Sequence, residues 1–180
     1  SGRGVGMDVV MQNINAIGGN IIIDSTPGSG SIITLKIPLT LAIMEGMIVA
    51  VGKSSYTIPI NTIRETFRPT DKQIIIDPDG TELIMVRGEC YPTIRLHNTY
   101  NIETTIKEFT EGIVIMLETD HMTIGVLADK LITKQSIVVK PIPLYIKNIN
   151  NIKGIAGCTL LGDGSISLII DPAGLSSRIN

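Results

Sequence analysis

Glycines alternate at Gly2, Gly4 and Gly6, and the helical pattern of Met7-Asp8-Val9-Val10 follows at once. Alternating glycines let backbone N–H groups converge on an anion, and a helix starting there points its positive end at it. The chemistry such a loop serves is phosphate binding. Such loops follow a strand or lid that brings the nucleotide in, and here nothing precedes Ser1. The expectation is that the function resides mostly in the residues beyond the loop. A dinucleotide fold is disfavoured on two grounds. The spacing is G-x-G-x-G rather than G-x-G-x-x-G, and the chain after Asp24 turns back at Pro27-Gly28 where a parallel crossover would be needed.

No other constellation reads as catalytic. Asp77 and Asp79 share one turn, and Glu118 and Asp120 flank another; turn acids cap backbone and face water. His97 lies near a loop and His121 in a tight turn, with no Ser-His-Asp order and no metal-ligand spacing. Asp129-Lys130 closes a strand and reads as surface charge of little energetic value. Cys90 and Cys158 are too far apart in sequence to suggest a metal motif or a disulfide framework, and both read as buried apolar thiols in a reducing compartment. The loop Leu161-Gly162-Asp163-Gly164 is a hairpin turn, with Asp163-Gly164 supplying positive φ.

Composition narrows the functional classes further. The chain has 180 residues, 43% hydrophobic and 18% charged, enough for a sizeable core. A net charge of −2 with dispersed signs argues against nucleic-acid binding, and 3% aromatics without Trp argues against base stacking. No apolar run is long enough to insert in a membrane. With neither a signal core nor an initiator Met, the chain reads as a cytoplasmic segment of a larger protein.

The elements follow from periodicity. Residues 6–17 form a helix, with Val9, Val10, Ile14 and Ile17 near one face, ended by Gly18-Gly19. Residues 20–24 and 32–37 form a hairpin around Pro27-Gly28. This helix and hairpin cannot bury their own apolar faces. Pro38-Leu39-Thr40-Leu41-Ala42 is a hinge, and beyond it the pattern changes to short strands. These are expected at 43–51, 56–60, 72–76, 82–86, 91–97, 112–118, 122–127, 137–139, 154–160 and 165–171. A polar loop with a short helix spans 97–111, and 172–175 form a closing cap. About ten strands are too many for one small barrel, so two packed lobes are expected.

Several segments resemble the CheA family of chemotaxis histidine kinases. Ser1-Gly2-Arg3-Gly4-Val5-Gly6-Met7-Asp8-Val9-Val10 is similar to that family's second glycine box. Asp24-Ser25-Thr26-Pro27-Gly28-Ser29-Gly30-Ser31 and Pro38-Leu39-Thr40-Leu41-Ala42-Ile43 resemble the end of its ATPase domain and the junction beyond. Gly157-Cys158-Thr159-Leu160-Leu161-Gly162-Asp163-Gly164-Ser165 and Leu168-Ile169-Ile170-Asp171 resemble the closing hairpin of its CheW-like regulatory domain.

The resemblance implies a mainly β chain with two SH3-like five-stranded β-barrels. They would be preceded by a helix plus β-hairpin remnant of an α/β histidine-kinase ATPase domain. Residues 1–38 would be that remnant and 39–180 the CheW-like regulatory domain. It implies phosphate contacts at Gly2, Arg3, Gly4 and Gly6, with ATP bound by the full-length parent and no cofactor, metal or catalytic residue expected for this chain by itself. The implied role is regulatory and scaffolding: coupling receptors and the CheW adaptor to kinase activity. Implied partners are CheW, chemoreceptor cytoplasmic tips and other kinase domains of the same chain. CheW relatives place an acid after the second strand opposite an arginine at an Arg-Gly turn. The matching positions are Glu65 and Arg87, so an ion pair fixing one lobe is expected there. The alternatives are a free-standing CheW-like adaptor and an active ATP-binding kinase domain.

Overall fold

A computed structural model describes residues 6–16, 19–28, 30–37, 43–119, 121–142, 153–177 and 179. The chain divides into two compact units, Ser1–Ala42 and Ile43–Asn180. The 38–42 hinge lies outside the described residues.

The first unit is helix α1 (Met7–Ala16) followed by strands β1 (Asn20–Thr26) and β2 (Gly30–Lys36). The strands pair antiparallel from Asn20↔Lys36 to Thr26↔Gly30, and Gly28 supplies the positive φ that their turn requires. As expected, the unit buries little: Met7, Val10 and Met11 on α1 and Ile32 and Ile33 on β2 are exposed.

The second unit begins with β3 (Ile43–Val51), β4 (Ser54–Pro59), β5 (Ile63–Phe67) and β6 (Ile74–Ile76). It continues with β7 (Glu82–Val86), β8 (Glu89–Arg95), α2 (Leu96–Tyr100), β9 (Ile113–Glu118) and β10 (Thr123–Ala128). The last elements are β11 (Lys130–Val138), β12 (Ile155–Leu160), β13 (Ile166–Ile170) and α3 (Pro172–Ser176). Asp171 caps α3 by accepting from the Ala173 N–H at 3.2 Å.

The strands form two sheets, which are the two lobes. One has the order β11-β3-β4-β13-β12, the other β5-β9-β10-β8-β7-β6. Each is antiparallel except for one parallel pair, β4 with β13 and β8 with β10. The five-stranded sheet curls until its edges meet. Lys140, just past β11, exchanges both backbone hydrogen bonds with Cys158 of β12, at 2.8 and 2.9 Å.

The central strands are apolar on both faces. On β9 and β10, Ile113, Ile115, Leu117, Ile124, Val126 and Ala128 join Val49, Val51, Tyr56 and Ile58 in the core between the sheets. The alternate residues Val114, Met116 and Leu127 pack with Ile84, Val86 and Phe109 inside the six-stranded sheet. Ile48, Ile137 and Ile169 fill the inside of the five-stranded one. Two buried faces explain why 47–51 and 113–117 read as continuous apolar runs rather than as alternation. Inside the five-stranded sheet, the fully buried hydroxyls of Thr57 and Ser167 satisfy each other at 2.7 Å across the parallel pair.

Four sequence readings change. Strand β5 is not among the expected strands; its alternation is broken because the half-buried position between Ile63 and Phe67 is the charged Glu65. β11 runs over nine residues where only 137–139 is expected, because Lys134 and Ser136 keep its outer face polar and Thr133 and Gln135 interrupt the apolar pattern on the inner one. Cys90 is exposed on β8, opposite Met85, and only Cys158 is buried. Asp129 is no idle surface charge: its Oδ2 accepts from the Gly52 N–H at 2.7 Å and from the Thr104 hydroxyl at 2.6 Å.

That junction makes Gly52 sensitive. It has φ 56°, and a Cβ there would run into the carbonyl oxygen of Glu103. Gly80 also has positive φ, 85°, but a Cβ there meets open space. Urea denaturation should show Gly52→Ala costing about 2 kcal/mol or more and Gly80→Ala only about 1 kcal/mol. Equal costs would mean that the close approach at Gly52 is not held in solution.

Candidate interaction surfaces

Of the four glycine-box residues, Gly2, Arg3 and Gly4 lie outside the described residues. Gly6 is exposed at the start of α1, and its carbonyl accepts from the Val9 N–H at 3.2 Å. The Asp8 carboxylate lies close beside it, 2.5 Å from where a Cβ on Gly6 would sit. An acid at that point opposes a phosphate rather than helping to hold one. Among the described residues, no group of three or more His, Cys, Asp or Glu is placed to hold a metal.

Three polar clusters organise the second unit. The first joins strand β5 to the β7–β8 hairpin, two parts of the six-stranded sheet that are far apart in strand order. Arg87 Nη2 lies 3.2 Å from Glu65 Oε2, the expected ion pair. Beside it, Arg64 donates to the Tyr91 hydroxyl at 3.2 Å and its guanidinium lies over that ring at 5.8 Å; the hydroxyl in turn donates to Glu89. These contacts staple the rolled sheet across the gap that its backbone ladder leaves open. Arg87 sits in a left-handed conformation, φ 54°, followed by Gly88 at 91°, the two-residue turn that suits a hairpin. An arginine there costs about 1 kcal/mol relative to glycine. Its side chain is 75% exposed, so the ion pair returns little.

The second cluster is stronger. Arg95 grips Glu82 with two parallel bonds, Nε to Oε2 and Nη2 to Oε1, both 2.7 Å. Its guanidinium stacks on Phe109 at 4.2 Å, and Nη1 donates to the Lys107 carbonyl. The bond to Glu82 raises the Arg95 pKa above its ordinary value. One residue thus ties β8, β7 and the 101–112 loop together.

The third cluster joins the sheets. Asp129, at the crossover from β10 to β11, binds the β3–β4 turn through Gly52 and the loop through Thr104. Nearby, Tyr100 of α2 stacks on Tyr56 of β4, with centroids 5.3 Å apart and planes 17° from parallel. Burial raises the Tyr56 pKa to about 12.

A family model described as the CheW-like domain matches residues 45–180, which takes in both sheets. The chain belongs to the CheW-like domain family. It is 38% identical over 175 residues to the chemotaxis protein CheA of Salmonella typhimurium, covering 97% of this chain and 26% of that protein. It is 39% identical over 171 residues to the sensor histidine kinase CheAY of Helicobacter pylori, covering 95% of this chain and 21% of that protein. It thus spans about a quarter of the length of such relatives. Among solved structures, the scaffolding protein TtCheW from Thermoanaerobacter tengcongensis shares the fold, with a TM-score of 0.59 at 19% identity over 71% of this chain and 88% of that one.

On this CheW-like unit, apolar side chains line up across one end of the five-stranded sheet. Ile43 pairs with Val138, and Leu160 pairs with Ile166. The Lys140–Cys158 bridge joins the two sheet edges that carry these pairs. Ile43 is 69% exposed, Leu160 56% and Ile166 49%. Single exposed apolar residues are ordinary, whereas neighbours in register make a patch. These residues could not be picked out from the sequence, since they come from four strands in distant parts of the chain. Reading by residue type alone also missed Glu82, Arg95 and Phe109. Their only sequence signal is an acid, a base and an aromatic spread over three separate segments.

The two arginine clusters should separate in a denaturation series. Arg95→Ala removes a two-bonded carboxylate partner and a ring stack, and should cost about 2 kcal/mol. Arg87→Ala should cost less than about 1 kcal/mol. The reverse order would refute this ranking.

Proposed function

We propose that this chain is the regulatory and scaffolding module of a chemotaxis sensor histidine kinase, working in the cytoplasm and coupling receptors and the CheW adaptor to kinase activity. Residues 39–180 are its CheW-like domain, and residues 1–38 are the end of the ATPase domain. The family match over 45–180 carries this reading. What supports a kinase rather than a free-standing adaptor is the reach of the likeness. Identity with CheA extends over 97% of this chain, helix and hairpin included, while likeness to the adaptor fold covers 71%.

Partners bind through surface rather than through a reactive centre. The partners are CheW, chemoreceptor tips and other domains of the same kinase. The Ile43, Val138, Leu160 and Ile166 row supplies the apolar anchor on one lobe. Regulation follows when docking changes how the ATPase domain is held through the 38–42 junction. ATP belongs to the longer protein. There Gly2, Arg3, Gly4 and Gly6 lie in the loop over its phosphates, and this chain alone does not hold the nucleotide.

Calorimetric titration with the CheW adaptor of the same organism tests the reading. Binding should saturate at micromolar concentration or tighter, about −8 kcal/mol. Leu160→Arg should weaken it at least tenfold, since a charge would be buried without a partner. Absence of binding by the wild-type chain would overturn the reading. A titration with ATP and magnesium should show no saturable heat, and micromolar ATP binding would favour an active kinase domain instead.

A further inference from the structure

His97 is the one titratable side chain among the buried polar residues of the described chain, at 7% exposure. It occupies the first turn of α2. Its carbonyl accepts from the Ile102 N–H at 2.8 Å, which folds the following loop back onto the helix. Neither ring nitrogen has a hydrogen-bond partner among the described residues. The residue lines a cleft of about 400 Å³ with Asn98, Asn101, Glu103, Thr104 and Lys107.

The position matters because of what hangs from it. Two residues before it, Arg95 grips Glu82 and the Lys107 carbonyl. Three residues after it, Tyr100 stacks on Tyr56 of the other sheet. Beyond the Ile102 turn, Thr104 donates to Asp129, which also holds Gly52 of the other sheet. The Tyr100 stack and the Thr104 bond thus both hang from the segment that carries this imidazole, while Asp129 holds Gly52 and the Ala50 carbonyl directly.

We propose that His97 is a proton-operated latch: a proton taken up by its buried, unpartnered imidazole loosens α2 and the 101–107 loop, and with them the Tyr100 stack on Tyr56 and the Thr104 bond to the Asp129 junction. The surroundings decide the sign. Burial disfavours the charged ring most. Arg95 on β8 and Lys107 in the loop oppose it as well, while Asp129 at the β10–β11 crossover and Glu82 on β7 favour it; the balance lowers the pKa below 6.5. The released segment then binds the proton more readily than the closed one. The latch is fully held above the ordinary histidine pKa and weakens as pH falls through it. The sites involved lie away from the apolar row, so the proposal does not depend on what docks there.

NMR of the whole chain tests this, with the ring of His97 titrated and amide hydrogen exchange followed residue by residue. The His97 ring should titrate below 6.5. Between about pH 7.5 and pH 5.5, protection at the Ile102 and Ile106 amides should fall, by at most about tenfold, while Ile124 and Val126 in the core hold theirs. In His97→Gln the fall should vanish. A His97 ring titrating at or above the ordinary value, protection that ignores pH, or a His97→Gln chain with the same fall would each overturn the latch. Should that variant not fold, the wild-type ring titration and protection profile decide the matter by themselves.

Discussion

The core between the two sheets is the constraint on which the second unit depends. β9 and β10 give Ile115, Leu117, Ile124 and Val126 to it, and β3 and β4 give Val49, Val51, Tyr56 and Ile58. A strand whose one face is spent in this way still has a second apolar face to hide. On β9 that second face is Val114 and Met116, and on β3 it is Ile48. The solution is for each sheet to roll around its own small interior. The shared core and the two rolled interiors are therefore consequences of one another, and removing either would strand apolar surface in water.

The two lobes achieve closure by different means. The five-stranded sheet finishes its roll with backbone bonds between Lys140 and Cys158. In the six-stranded sheet, side chains reach across instead, with Glu65 on Arg87 and Arg64 on Tyr91. Such contacts are individually weak at the surface, so the roll is held chiefly by Phe109, Ile84 and Met116 within it. Arg95 works differently: mostly shielded, doubly bonded to Glu82 and stacked on Phe109, it anchors the loop that covers this interior.

A module of this kind acts by presenting surface. Its polar groups are paired inward, in the Thr57–Ser167 hydroxyl pair and the Asp129 junction, and the described residues hold no metal-binding cluster. What remains outward on the five-stranded sheet is the row from Ile43 to Ile166, framed along β11 and β3 by the Lys134–Glu45 ion pair at 3.1 Å. An apolar strip beside charge has the make-up of an interaction surface. The helix and hairpin of the first unit also leave apolar side chains exposed, among them Met7, Val10, Ile32 and Ile33.

Local sequence determined much of this protein. Periodicity and turn chemistry placed α1, the β1–β2 hairpin, β7 within its observed bounds, the closing hairpin and α3, because each rests on contacts between near neighbours in the chain. The glycine box, the junction and the closing loop were enough to point to the family. Glu65 and Arg87 could be paired only through that resemblance. Tertiary structure alone decided which polar residues matter. Asp129 read as surface charge until Gly52 and Thr104 came to it, and His97 read as lying near a loop although it is buried in the first turn of α2. β5 and most of β11 were hidden because charged side chains on their exposed or half-buried positions masked the apolar signal. The row from Ile43 to Ile166 could not be read locally, since it exists only when strands more than a hundred residues apart in the chain close into one sheet.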